Sequence, residues 1–186
     1  TKPTTQALPN IEFYTVRDNG MLVYDIQYTM DPFGDSPLET QEVTVKGVVT
    51  ASTKIGDLGY LYIQDETGSS WSGIWCVGIG LNQFYRNEEV EVTGVVEEYY
   101  GMTRINVTSA NKTGNLGMVS ATVLDPSDSA SYANFGWEPY ESMFIRYEQP
   151  NGKLHISQTN LGFGDYAVSS SNTGALSRSG RVLAGR

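Results

Sequence analysis

The chain has 186 residues and a formal charge of −9, which is length enough for a sizeable core and acidity enough to oppose non-specific binding to a phosphate backbone. No apolar run approaches the roughly 20 residues of a bilayer-spanning helix, and the lone cysteine, Cys76, excludes an intrachain disulfide and a cysteine-based zinc site. Twenty glycines and twelve tyrosines, beside only twelve Lys and Arg, favour a turn-rich all-β protein.

Taken in order, residues 1–10 are a polar lead-in with two prolines, and 11–16 suit a short strand closed by the turn signal Asp18-Asn-Gly20. Residues 21–28 suit either a strand or one to two turns of helix, since periodicity does not decide over so short a run. Residues 31–37 are a loop, with Pro32 and Pro37 removing donors and Gly34 permitting positive φ. Five β-type runs follow, at 43–50, 59–65, 74–77, 90–96 and 102–107, with a short helix expected near 81–85. In the first run Val43, Val45, Gly47 and Val49 share one face; in the fourth Val90, Val92, Gly94 and Val96 do. Gly47 and Gly94 sit mid-strand, where a glycine permits the sharp bend or bulge of a small barrel. Five bent strands in about 65 residues predict a closed five-stranded barrel of OB type.

Beyond residue 107 the pattern loosens. Residues 109–117 are polar, 119–124 suit a strand, and Asp125 is placed to cap a helical turn. Runs at 140–148 and 153–156 suggest a hairpin across Gln149-Pro-Asn-Gly152, because Asn-Gly is a strong turn signal. A last strand is expected at 166–169. The resulting plan is all-β: an N-terminal arm at 1–37, the OB-like barrel at 38–110, a β-rich extension packed on it at 111–169, and a loose tail at 170–186.

The ordered segments Tyr24-Asp-Ile-Gln-Tyr28, Asp31-Pro-Phe-Gly-Asp-Ser-Pro37, Gly59-Tyr-Leu-Tyr-Ile-Gln-Asp65, Trp71-Ser-Gly-Ile-Trp75 and the run from Val90 through Tyr99-Tyr-Gly-Met-Thr-Arg-Ile105 resemble the OB-fold module of secreted bacterial, Bacteroidetes-type proteins. That module is found beside extracellular endonuclease/exonuclease/phosphatase-type nuclease domains. Tyr140-Glu-Ser-Met-Phe-Ile-Arg146 and Asn160-Leu-Gly-Phe-Gly-Asp165 resemble the segment that follows it. The resemblance implies a secreted accessory module, with single-stranded nucleic acid as first ligand and a protein or polysaccharide as the alternative. Other domains of a larger secreted protein are further candidate partners. The nuclease pattern of Asp, Glu, Asn and His is missing, and His155 is the sole histidine, so the expectation is a chain that is not itself an enzyme. A start at Thr1, without Met or an apolar leader, agrees with a processed secreted chain.

An aromatic face is the leading candidate site. Tyr60 and Tyr62 project together if Leu61 and Ile63 are core, in company with Lys46 and Arg104, and Trp71, Tyr99 and Tyr100 at strand ends extend the face. Such faces stack bases or sugar rings; the plainer account is that the tyrosines pack under residues 108–165 or under the N-terminal arm. Glu91, Glu97 and Glu98 near the same surface oppose a phosphate chain. Asp31 and Asp35 offer hard oxygen ligands that calcium prefers, or simply make turn hydrogen bonds. His155 with Ser157 mimics a catalytic pair but lacks an orienting carboxylate, and Cys76 suits a small core residue.

Overall fold

The computed structural model describes residues 20–52, 54, 60–66, 68, 70–125, 136–148, 155–158 and 167–169. The expected N-terminal strand at 11–16, the Asp125-capped turn beyond Asp125 and the tail at 170–186 lie outside them. Five strands form the centre: β1 (Glu42–Ala51), β2 (Leu61–Gln64), β3 (Gly73–Gly78), β4 (Glu88–Glu98) and β5 (Thr103–Leu116). They close in the order β1-β2-β3-β5-β4. Every pairing is antiparallel except β3 with β5, which run parallel and shut the barrel. This is the order of an OB fold.

The faces follow the period-two pattern. Val43, Val45 and Val49 of β1 and Val90, Val92 and Val96 of β4 point inward with Leu61, Ile63 and Ile105, all but completely buried. The mid-strand glycines have specific reasons. A Cβ on Gly47 would press on Ile63 at 3.1 Å. A Cβ on Gly94 would run into the Asn106 carbonyl oxygen, at a point where the β4–β5 register slips between Thr93 and Gly94. That slip is the bulge the sequence predicts, and it bends the ribbon round the core.

The undecided stretch at 21–28 resolves into a helix, α1 (Val23–Gln27). Its Val23 and Ile26 enter the barrel core. A helix this short has no stability of its own, and Leu22 cannot cap it. Asp65, at the end of β2, supplies the cap instead: its carboxylate accepts from Val23 N and Tyr24 N, both at 2.9 Å. The expected helix near residue 81 is a 3-10 turn at Leu81–Gln83.

Two expectations about the second half need correction. The polar stretch after residue 107 does not loosen: β5 continues to Leu116, because Ala110, Asn111 and Lys112 pair with Val92, Glu91 and Val90. Backbone pairing is indifferent to side-chain polarity when both faces of a ribbon meet water. Nor, among the described residues, do the arms of the expected hairpin, 140–148 and 153–156, pair with each other; its turn at 149–152 lies outside those residues. β7 (Ile145–Tyr147) pairs in parallel with β6 (Thr122–Leu124), and β8 (His155–Gln158) pairs with β9 (Ala167–Ser169), the expected last strand.

Candidate ligand-binding face

The registers set one row of side chains across the outside of the barrel. Tyr62 lies opposite Trp75, Trp75 opposite Arg104, and Arg104 opposite Glu97. Leu61, Ile63, Ile74 and Cys76 take the inner face, as the alternation requires. Trp75 is the centre of the row. Tyr60 meets its ring edge-on at 5.1 Å, Tyr99 at 5.9 Å, and the Arg104 guanidinium lies 5.2 Å from its centroid. Arg104 also covers the Tyr99 ring at 3.8 Å while Glu97 Oε2 accepts from its Nε and a terminal nitrogen at 3.0 and 2.9 Å. Asn106 donates to the other oxygen of Glu97. This amide first, and the guanidinium after it, hold the Glu97 carboxyl below the usual range. Trp75 itself is only 8 % exposed, and its indole N–H has no hydrogen-bond partner among the described residues.

The turn between β4 and β5 carries the face outward. Tyr99 and Met102 exchange backbone hydrogen bonds across a two-residue loop, Tyr100-Gly101. Both loop residues have positive φ, 55° and 76°, the geometry of a type I′ turn, which Asn-Gly fills most easily. A bulky aromatic there is strained. Tyr100 is nevertheless 90 % exposed at the tip, touching Tyr99 edge-on. Tyr60, Tyr99 and Tyr100 are open to solvent around the buried Trp75 ring, each meeting its neighbour edge-on.

Residues 136–144 close the other side. Pro139 O accepts from Trp71 N, Glu141 Oε1 accepts from Thr103 N at 2.9 Å, and Phe144 N donates to Gln64 Oε1 at 2.8 Å. Gly73 makes room: a Cβ there would stand 2.6 Å from the Ser142 carbonyl oxygen. Tyr62 is consequently half-buried, and burial, followed by the nearby Tyr60 and Glu141, raises its phenol to about 12. The expected face is therefore divided: Tyr60, Tyr99 and Tyr100 are exposed, the Arg104 side chain is 18 % exposed between them and Glu97, and Tyr62 is half-buried within reach of the Glu141 charge. Trp71 is buried and packs edge-on against Tyr28 of the N-terminal region.

Lys46 lies apart from this cluster. It faces Glu91 at 3.7 Å, and Glu91 is six residues along β4 from Glu97, about 20 Å at the rise of a strand. Lys46 instead lines an open groove of about 590 Å³ with Asp65, Glu66 and Glu89. Asp31 Oδ1 accepts from Phe33 N at 2.8 Å, so this carboxylate is engaged in its own turn. Asp31 and Asp35 fall short of the six to eight oxygens calcium takes, and no group of three or more metal-binding side chains occurs among the described residues. His155 sits on β8 opposite Ser169. Cys76 is fully buried, and burial pushes its thiol well above the ordinary value, which suits packing and not nucleophilic attack.

Trp75 is the residue that sequence reading passed over. Its phase reveals it: an aromatic between the inward Ile74 and Cys76 must point out. Glu138 and Glu141 left no such signal, since their place depends on how the chain returns to the barrel.

The sequence matches no protein-family model and no curated protein. Among solved structures it is similar to asparaginyl-tRNA synthetase from Pyrococcus horikoshii, at 18% identity over 44% of this chain and 21% of that one, TM-score 0.34. It is similar to OBody AM1L10, solved bound to hen egg-white lysozyme, at 19% identity over 56% and 99%, TM-score 0.38. A third is the second OB-fold domain of replication protein A from Methanococcus maripaludis, at 22% identity over 41% and 88%, TM-score 0.32. The chain thus spans about a fifth of the synthetase. At these values the likenesses add nothing to the strand order, which by itself identifies the OB fold, and no ligand passes from them to this chain.

Proposed function

We propose that the chain is a non-catalytic binding module that packs the rings of an oligomeric ligand against Tyr60, Tyr99 and Tyr100, which the buried Trp75 supports from beneath, with a neutral polysaccharide as the ligand class. It serves, on this reading, as an accessory unit of a larger secreted bacterial protein. The observation that carries the ligand class is the state of Arg104. Its charge is already met by Glu97 at 2.9 Å, so the face presents exposed aromatic rings without a free cation beside them. Single-stranded nucleic acid binding normally joins stacking aromatics to a positively charged groove. Sugar rings need only the aromatics and acceptors for their hydroxyls.

Single-stranded nucleic acid is the second reading. It is favoured by the guanidinium 3.8 Å over the Tyr99 ring, a cation beside exposed aromatics, and by the resemblance to nuclease-associated modules. Calorimetric titration with cellohexaose, xylohexaose and a single-stranded oligothymidylate, at low and high salt, separates the two. Glycan binding indifferent to salt supports the first; oligonucleotide binding that weakens steeply with salt supports the second. Binding of neither class removes both. Each stacked ring contributes about 1–3 kcal/mol, so Tyr60→Ala should weaken a bound ligand about tenfold.

A further inference from the structure

We infer that Trp75 is the specificity-determining donor of the face: its indole N–H, unpaired in the free chain, bonds a hydroxyl oxygen of the bound saccharide once Tyr60 swings aside. The donor role rests on the polysaccharide site proposed above; the covering role of Tyr60 does not.

Among the described residues only two buried side-chain polar atoms lack a hydrogen-bond partner, Trp75 Nε1 and the Ser142 hydroxyl. Buried polar groups are nearly always paired, so each exception has a cause. For Trp75 the cause lies in its neighbours. An indole only donates, and the guanidinium of Arg104 only donates as well. Glu97, the one carboxylate in the row, has both oxygens taken, Oε2 by two nitrogens of Arg104 and Oε1 by Asn106. The rings of Tyr60 and Tyr99 stand at 73° and 64° to the indole, and an aromatic ring is a weak acceptor beside an oxygen. The centre of the row thus holds a fixed donor that nothing in the free chain uses.

Such a donor rewards a ligand more than an exposed one does. An exposed N–H trades a bond to water for a bond to the ligand, and the net gain is small. Nε1 is closed off from solvent and has no bond to give up, so an oxygen that reaches it supplies a bond the free chain lacks. The contact also selects. A sugar hydroxyl accepts from the indole while donating onward, whereas a phosphate oxygen brings its charge beside Glu97.

Reaching Nε1 requires a cover to move, and three of the four groups about the indole are fixed. Arg104 is held by Glu97. Tyr99 lies against the guanidinium at 3.8 Å and exchanges backbone hydrogen bonds with Met102. Tyr62 is half-buried beside Glu141. Tyr60, just before β2, is 48 % exposed, and the ring contact that holds it is the one with Trp75 itself. Rotation about its side-chain bonds uncovers the indole and leaves the phenol ring alongside, where it packs against the sugar.

Nitrogen-15 correlation spectra of the full chain carry three indole N–H signals, one for each tryptophan, and that of Trp75 is identified by its proximity to the Tyr60 and Tyr99 rings. In the free chain its exchange with water should be slow, and Tyr60→Ala should speed it at least about tenfold. Unchanged exchange overturns Tyr60 as the cover. Saturating cellohexaose or xylohexaose should move the Trp75 signal downfield while those of Trp71 and Trp137 hold. Trp75→Phe keeps a ring in place without the N–H and should lose at least about fivefold in saccharide affinity by calorimetry. Saccharide binding that leaves the Trp75 signal where it was overturns the donor role, whether or not the phenylalanine variant folds, and leaves the binding module standing. A shift produced by oligothymidylate and by neither saccharide overturns the sugar hydroxyl as partner. Absence of binding by every probe overturns the binding module and the donor role together, while the exchange data still decide the cover.

Discussion

The guanidinium of Arg104 lies 3.8 Å from the centroid of Tyr99 while Glu97 holds its edge. The planar group is thereby fixed in plane and position, which a lysine ammonium at the same place cannot reproduce. Arg104→Lys should keep the charge and lose the stacking, and so weaken ligand binding several-fold with little change in Tm. Calorimetric titration beside a thermal melt checks this. Wild-type affinity in the lysine variant would show that the residue supplies charge alone.

Tyr100 should trade stability against binding. Its left-handed conformation at the first position of a type I′ turn strains an aromatic side chain and suits asparagine. Tyr100→Asn is expected to stabilise the chain by about 0.5–1 kcal/mol and to weaken ligand binding by removing the most exposed ring of the face. Denaturant unfolding gives the first quantity and titration the second. A loss of stability would contradict the turn assignment.

Asp65→Ala should be among the most damaging single changes. It leaves Val23 N and Tyr24 N without their acceptor at the start of a helix whose apolar face completes the core. Stranding two amides costs about 1–3 kcal/mol each, so the unfolding midpoint should drop sharply. Asp65→Asn, which retains one acceptor oxygen, should recover part of the loss.

Stability should decline on the alkaline side. Glu138 and Glu141 have folded values above their unfolded ones, so their contribution is complete below the ordinary carboxyl range and is lost as pH rises toward about 9. Glu88, Glu89 and Glu97 are shifted the other way, so theirs is present at neutral pH and lost on acidification. Denaturant midpoints between pH 4 and pH 9.5 should therefore pass through a maximum, and the double variant Glu138→Gln/Glu141→Gln should remove the alkaline decline selectively.

The barrel was readable from the sequence because its rules are local. Alternation assigned Val43, Val45 and Val49 inward and Tyr60 and Tyr62 outward, and Gly94 marked the bulge. The binding face was half readable. Register, which the sequence does not state, puts Trp75 between Tyr62 and Arg104 and sets Lys46, on β1, opposite Glu91 and far from Arg104. The covering segment was readable only as a region, residues 108–165, and not in its path. Tyr140 to Glu148 has the composition of a strand, yet Ser142 turns back and Glu141 reaches Thr103, contacts decided by residues about forty positions earlier. The helix at Val23 was undecidable for the same reason, since its cap is Asp65.

The parallel union of β3 with β5 has a consequence for how the chain acquires its shape. Until Arg104 to Val107 arrive beside Trp75 to Gly78, the first four strands form an open sheet with two bare edges. On a ribosome, closure must wait until β5 has emerged. The contacts that complete it join distant parts of the sequence, so folding should be slow for a domain of this size. During that interval β3 and β4, the two edges that β5 will cover, are the stretches most open to pairing with another molecule, and aggregation in expression should respond first to substitutions there.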